Sequence, residues 1–147
     1  MERAPIRSFE DLEVYQLTFK ASLVVAKEIV PKLPLNDLFG LRNQVGRSSC
    51  AVPRLIAEGY GKRHQRLGFH KYLDDANAES NETQVSLCHI KEIYGHLFDL
   101  KLLEDLIKTY DRASRQIYNL SKAWNQHSRP PHLSLPIQPP PPVPLTH

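Results

Sequence analysis

A chain of 147 residues with 41% hydrophobic side chains is long enough to bury a proper core, and reads as one domain carrying a tail. Its net charge of +3 is unevenly spread: between Leu38 and Tyr72 seven bases stand against one acid, Glu58, so the flanking segments together carry a slight acidic excess. The polar start, with Pro5 inside it, lacks the apolar run of a signal peptide. No stretch approaches the ~20 apolar residues of a membrane span, so a soluble cytoplasmic protein is expected.

Ser8 and Asp11 have the form of a capping box opening a first helix. Leu12, Tyr15, Phe19, Ser22, Ala26, Ile29 and Leu33 then recur at three- and four-residue steps, the rhythm of one apolar stripe. Pro31 loosens the last turn and Pro34 stops the helix. A second helix fits Leu38 to about Glu58, with Leu41, Val45, Ser48, Val52 and Leu55 inward. Pro53 predicts a kink within it. Gly59 and Gly61 are expected to end it in the left-handed conformation that glycine accepts. The third helix carries Phe69, Leu73, Ala76, Ser80, Thr83, Leu87, Ile90, Tyr94 and Leu97, with a small, polar middle that allows close backbone approach. The fourth places Leu103, Leu106, Tyr110, Ala113, Ile117, Leu120 and Trp124 on the same spacing. Four amphipathic helices with short joints predict an all-α fold, an antiparallel up-down four-helix bundle over residues 8–127.

Ser128 to His147 changes character, with Pro130, Pro131, Pro136, the run Pro139 to Pro142, and Pro144. Proline at this density favours extended polyproline II and predicts a disordered tail over 128–147. Its sharper reading is a ligand for an aromatic-lined groove on some partner protein. Cys50 and Cys88 are isolated, which predicts reduced, buried thiols rather than a disulfide.

The basic zone holds Arg42, Arg47, Arg54, Lys62, Arg63, Arg66 and Lys71, a footprint expected of a polyanion binder. The plainer reading is a solvated face or a set of interface contacts. Lys62 and Arg63 also suit a helix C-terminus, where the dipole favours cations. His64, His70, Tyr60 and Phe69 lie among these bases and could stack on unpaired nucleobases, although Phe69 also fits the core. Glu58 is expected to be neutralised by a neighbouring Arg and by the amides of Gly59 and Gly61. Catalytic machinery is missing: there is no Glu-x-x-His, no Gly-x-Ser-x-Gly, and no phosphate loop around Gly59-Tyr60-Gly61-Lys62. No cofactor or metal is expected.

Three segments, in order, carry a family resemblance. They are Phe9-Glu10-Asp11-Leu12-Glu13-Val14-Tyr15-Gln16; then Phe39-Gly40-Leu41 with Gln44, Arg47, Val52-Pro53 and Ile56-Ala57-Glu58-Gly59-Tyr60-Gly61-Lys62; then Phe69, Tyr72-Leu73, Ala76, Ala78-Glu79 and Glu82-Thr83-Gln84. Together they resemble the four-helix-bundle proteins encoded in intervening sequences of 23S ribosomal RNA genes, over Phe9 to about Trp124. The resemblance implies a ring-like homopentamer. It also implies kinship with the accessory variability protein of diversity-generating retroelements, a basic bundle that binds reverse transcriptase and nucleic acid. The chain departs from the family at Arg54-Leu55, where a small polar Ser-Asn pair is usual, and in its tail. The expectation is a non-enzymatic oligomer whose seven bases contact RNA or DNA. The alternative is a protein-interaction scaffold in which those bases meet subunits or partners.

Overall fold

A computed structural model describes residues 5–128, and among these the secondary structure is entirely helical. The four long helices are α1 (Glu13–Val24), α2 (Leu41–Gly61), α3 (Gly68–Tyr94) and α4 (Leu100–Ser128), consistent with a four-helix bundle. Apart from Ser128, the residues of the expected tail lie outside those described.

The capping box of Ser8 and Asp11 is present, but it opens a short 3-10 turn, Phe9–Asp11, ahead of α1. The amides of Arg7 and Ser8 donate to Asp11 Oδ2 and hold its carboxyl below the usual aspartate range. In α1 the buried face is Val14, Thr18, Ala21 and Ser22, leading on to Val25, Ile29 and Leu33. Tyr15, Phe19 and Ala26, expected inside, lie towards the outer side, and Phe19 is 43% exposed. The helix finishes by changing its winding. A π turn over Val25–Ile29 is followed by a 3-10 turn over Val30–Lys32. Leu33 is then extended (φ −75°, ψ 145°), as a residue preceding proline must be.

The second helix begins at Leu41, three residues later than expected, because Gly40 sits at φ +67°. Asp37 supplies what Gly40 lacks as a cap. Its carboxylate accepts from Phe39 N (3.1 Å), Arg42 N (2.8 Å) and Tyr94 Oη (3.0 Å), tying the connection to the end of α3. Desolvation opposes ionisation of Asp37, but these hydrogen bonds outweigh it and lower the pKa. The helix then runs through buried Pro53 to Gly61 without interruption. Gly59 and Gly61 do not terminate it in a left-handed conformation. The left-handed residue is Leu67 (φ 61°), just ahead of α3, a costly place for a branched side chain. Gly59 serves packing instead: a Cβ there would stand 2.6 Å from Tyr72 Cβ.

The inner faces of α3 and α4 follow their predicted stripes from Phe69 to Ile90 and from Leu103 to Ile117. Beyond them Tyr94, Leu120 and Trp124 are partly covered, while Leu97 is exposed. Ile56, fully buried, replaces half-buried Leu55 on the inner face of α2. The most extensive helix contacts join α2 to α3 and α3 to α4. At mid-height the interior is hydroxyl-rich. Thr83 Oγ1 lies 2.8 Å from Ser48 Oγ, Ser80 Oγ donates to the Tyr110 carbonyl at 3.1 Å, and Ser114 Oγ bridges Ser80 Oγ and Asn81 Oδ1.

One buried hydroxyl breaks this pattern. Tyr110 is fully buried, and its Oη has no hydrogen-bond partner among the described residues. Burial, with a smaller contribution from Cys50, pushes its ionisation far upward. An unpaired buried polar atom costs about 1–3 kcal/mol, so Tyr110→Phe should stabilise the protein by about 1 kcal/mol in a urea titration. A lower unfolding midpoint with an unchanged slope would reveal a partner for Oη.

Candidate nucleic-acid interface

The peptide between α2 and α3 folds into consecutive tight turns. Backbone bonds run from Lys62 N to Gly59 O (3.0 Å), Arg63 N to Tyr60 O (3.2 Å), Gln65 N to Lys62 O (3.0 Å) and Gly68 N to Gln65 O (3.0 Å). Such a corner fixes the Cα positions of its side chains. Beneath it, Tyr60, Phe69 and Trp124 meet edge-to-face, with Phe69 and Trp124 centroids 4.9 Å apart. These rings anchor the corner to the bundle and bury Phe69, so Phe69 is a core residue and unavailable for stacking on a base.

Two of the corner cations are held on aromatic rings. Lys62 Nζ lies 2.7 Å from Tyr72 Oη and 4.9 Å from that ring's centroid. The hydroxyl is the main reason its pKa is raised, and Glu58 adds to the effect through space. The Arg63 guanidinium lies 4.1 Å over the Tyr60 ring and donates from Nη1 to the Tyr60 carbonyl at 2.9 Å. Arg66 and Lys71 are exposed on either side of the α3 N-terminus. Among the described residues no carboxylate forms an ion pair with any of these four. Glu58 is exposed, and the expected neutralising Arg and turn amides do not reach it.

The other three bases stand elsewhere. Arg42 lies at the opposite end of α2, ~30 Å from the corner by helical rise. Arg47 is engaged by two carboxylates of α3, Glu79 (3.2 Å) and Glu82 (2.5 Å). Arg54 lines an apolar groove between α1 and α2 with Phe9, Tyr15, Phe19, Cys50 and Pro53. The sequence cluster of seven is therefore a structural cluster of four. Tyr72, the platform for Lys62, escaped the sequence reading because only the helical corner brings it back to residue 62.

His70 bonds Ser121 of α4 through Nδ1, with Nε2 3.9 Å from Asp74. Its ring is thus committed to fixing α3 against α4. Asp74 and Asp75, both exposed, follow Lys71 within α3. Both cysteines are free and exposed, contrary to the expectation of buried thiols. Among the described residues no group of three or more His, Cys, Asp or Glu could hold a metal ion, and no helix is long and apolar enough to cross a membrane.

An all-helical protein of four long helices, with an exposed cationic corner between the second and third, is the class defined so far. The chain belongs to the 23S rRNA-intervening sequence protein family, which it matches over residues 10–119. No curated protein and no solved structure matches it.

Proposed function

We propose that this protein is a non-enzymatic, oligomeric nucleic-acid-binding bundle whose contact surface is the corner of Lys62, Arg63, Arg66 and Lys71. The carrying observation is that four cations share one hydrogen-bonded corner with no carboxylate paired to them among the described residues. Exposed guanidinium and ammonium groups contact phosphates and orient a strand without reading its sequence. The pairs Ser48–Thr83 and Lys62–Tyr72 advance along the chain from α2 as they retreat along α3, and Ser80–Ser114 and His70–Ser121 do the same between α3 and α4, which supports an antiparallel up-down arrangement. A cyclic homo-oligomer such as the pentamer implied by resemblance would repeat the corner around an axis, multiplying its phosphate contacts. RNA or DNA is the partner proposed, in the cytoplasm, with a reverse transcriptase as the protein that such a bundle would assist.

Replacing Lys62, Arg63 and Arg66 together by glutamine should weaken binding of a fluorescein-labelled RNA in an anisotropy titration. Each lost phosphate contact removes ~0.7 to 0.9 from the slope of log affinity against log salt, so the slope should flatten by about 2. Arg47→Gln should leave it unchanged, because Glu79 and Glu82 already occupy that guanidinium. An unaltered slope in the triple variant would remove the corner from the interface.

The rival reading, a protein-interaction scaffold, is favoured by Leu35, Leu38 and Phe39, which project from the connection before α2. Nuclease treatment separates the two. Co-purifying absorbance at 260 nm that nuclease abolishes supports the corner; an oligomer indifferent to nucleic acid supports the scaffold.

A further inference from the structure

The outer faces of α1 and α2 meet in a groove of Phe9, Tyr15, Phe19, Cys50, Pro53 and Arg54. Its floor is aromatic and continuous. Phe9 packs edge-on against Tyr15 at 4.9 Å, and Tyr15 stacks on Phe19 at 5.8 Å with the planes 19° apart. At its edge stands Arg54, an exposed donor without an ion pair among the described residues. The groove offers apolar faces and donors, and no carboxylate lines it. A proline-rich strand is its chemical complement, because proline presents ring surface and an accepting carbonyl but no N–H. The same chain carries such a strand in residues 129–147, with four consecutive prolines at Pro139 to Pro142.

We propose that this aromatic groove is the docking site of the chain's own proline-rich segment. The reach is sufficient. Trp124 packs against Tyr60, three residues beyond the groove residue Ala57, so α4 ends at the groove's end of the molecule. From Ser128 to Pro139 a polyproline II strand extends ~34 Å, while α2 between Cys50 and Ala57 rises ~10 Å and packed helices are spaced ~10 Å apart. Crossing one helix and lying along the groove uses no more than that length. Intrachain docking also has a favourable effective concentration, since the tether converts binding into a unimolecular step.

Cys50 reports on the groove directly, and Cys88, exposed on α3 and absent from the groove's lining, serves as the internal control. The full chain and a variant with Pro139→Ser, Pro140→Ser, Pro141→Ser and Pro142→Ser are reacted with a thiol-specific reagent, and each cysteine is followed by peptide mass spectrometry. Cys50 should react about tenfold more slowly in the full chain than in the variant, a difference of ~1.4 kcal/mol in groove occupancy. Cys88 should react equally in both, and the protection should be independent of protein concentration. Equal Cys50 rates overturn the proposal. So does protection that grows with concentration and survives the four substitutions, which would place a second copy of the chain in the groove.

Discussion

Gly59→Ala should destabilise the protein by about 1–3 kcal/mol, the usual cost of forcing atoms into a filled core. The added Cβ would stand 2.6 Å from Tyr72 Cβ and 3.0 Å from Phe69 Cδ1. Neither contact yields cheaply. A Cβ moves only with its backbone, and Phe69 is clamped between Tyr60 and Trp124. At ~2–4 °C per kcal/mol for a domain of this size, the melting temperature should fall by about 2–12 °C. Gly61→Ala makes the natural control. Nothing lies within 4 Å of its Cβ position and its φ is not positive, so alanine should be neutral or stabilise by up to about 1 kcal/mol. Calorimetry on both variants distinguishes tight packing at residue 59 from a general need for glycine near the helix end. Equal melting temperatures for the two would refute it.

Gly68→Ala is expected to cost at least as much, and to act on the corner itself. Its Cβ would approach the Lys62 carbonyl oxygen to 2.3 Å. That oxygen is backbone and already accepts from Gln65 N, so relief requires moving the peptide that carries Lys62 and Arg63. Nucleic-acid affinity should therefore fall together with thermal stability, although no cation has been removed. The triple glutamine variant should show the reverse combination, with affinity lost and stability lowered only slightly, by the loss of the Lys62–Tyr72 and Arg63–Tyr60 contacts. Gly68→Ala binding RNA as the parent does, at a temperature where both are folded, would show that corner geometry is irrelevant to binding.

The helical framework was readable because α3 and α4 each present a single apolar stripe that periodicity can locate. α1 was not readable in this way. It is apolar on two faces, Val14, Ala21 and Val25 on one and Tyr15, Phe19 and Ala26 on the other, and spacing alone does not choose between them. The larger aromatic side chains face outward, whereas the smaller Val14, Thr18, Ala21 and Val25 fill the interior. Gly59 stands out in the sequence, but a helix-terminating glycine and a close-approach glycine look alike until the facing Tyr72 is known. The basic site was half legible for a similar reason. Counting charge along the chain finds Arg47, yet its carboxylate partners lie on another helix, at positions 79 and 82. Arg42 and Lys62 share a sequence window whose two ends one continuous helix holds far apart. Four cations remain together because they lie on, or within one helical turn of, the short joint between α2 and α3.

The hydroxyls at mid-height act as a detent between the helices. Leucine and valine would still find apolar neighbours if α3 slid one turn past α2 or α4. Ser48 would then lose Thr83, and Ser80 would lose the Tyr110 carbonyl and Ser114, leaving buried hydroxyls unpaired at about 1–3 kcal/mol each, while Thr83 would keep only the Glu79 carbonyl of its own helix. A few oxygen atoms thus give the bundle one vertical alignment, a discrimination that greasy surfaces alone do not provide.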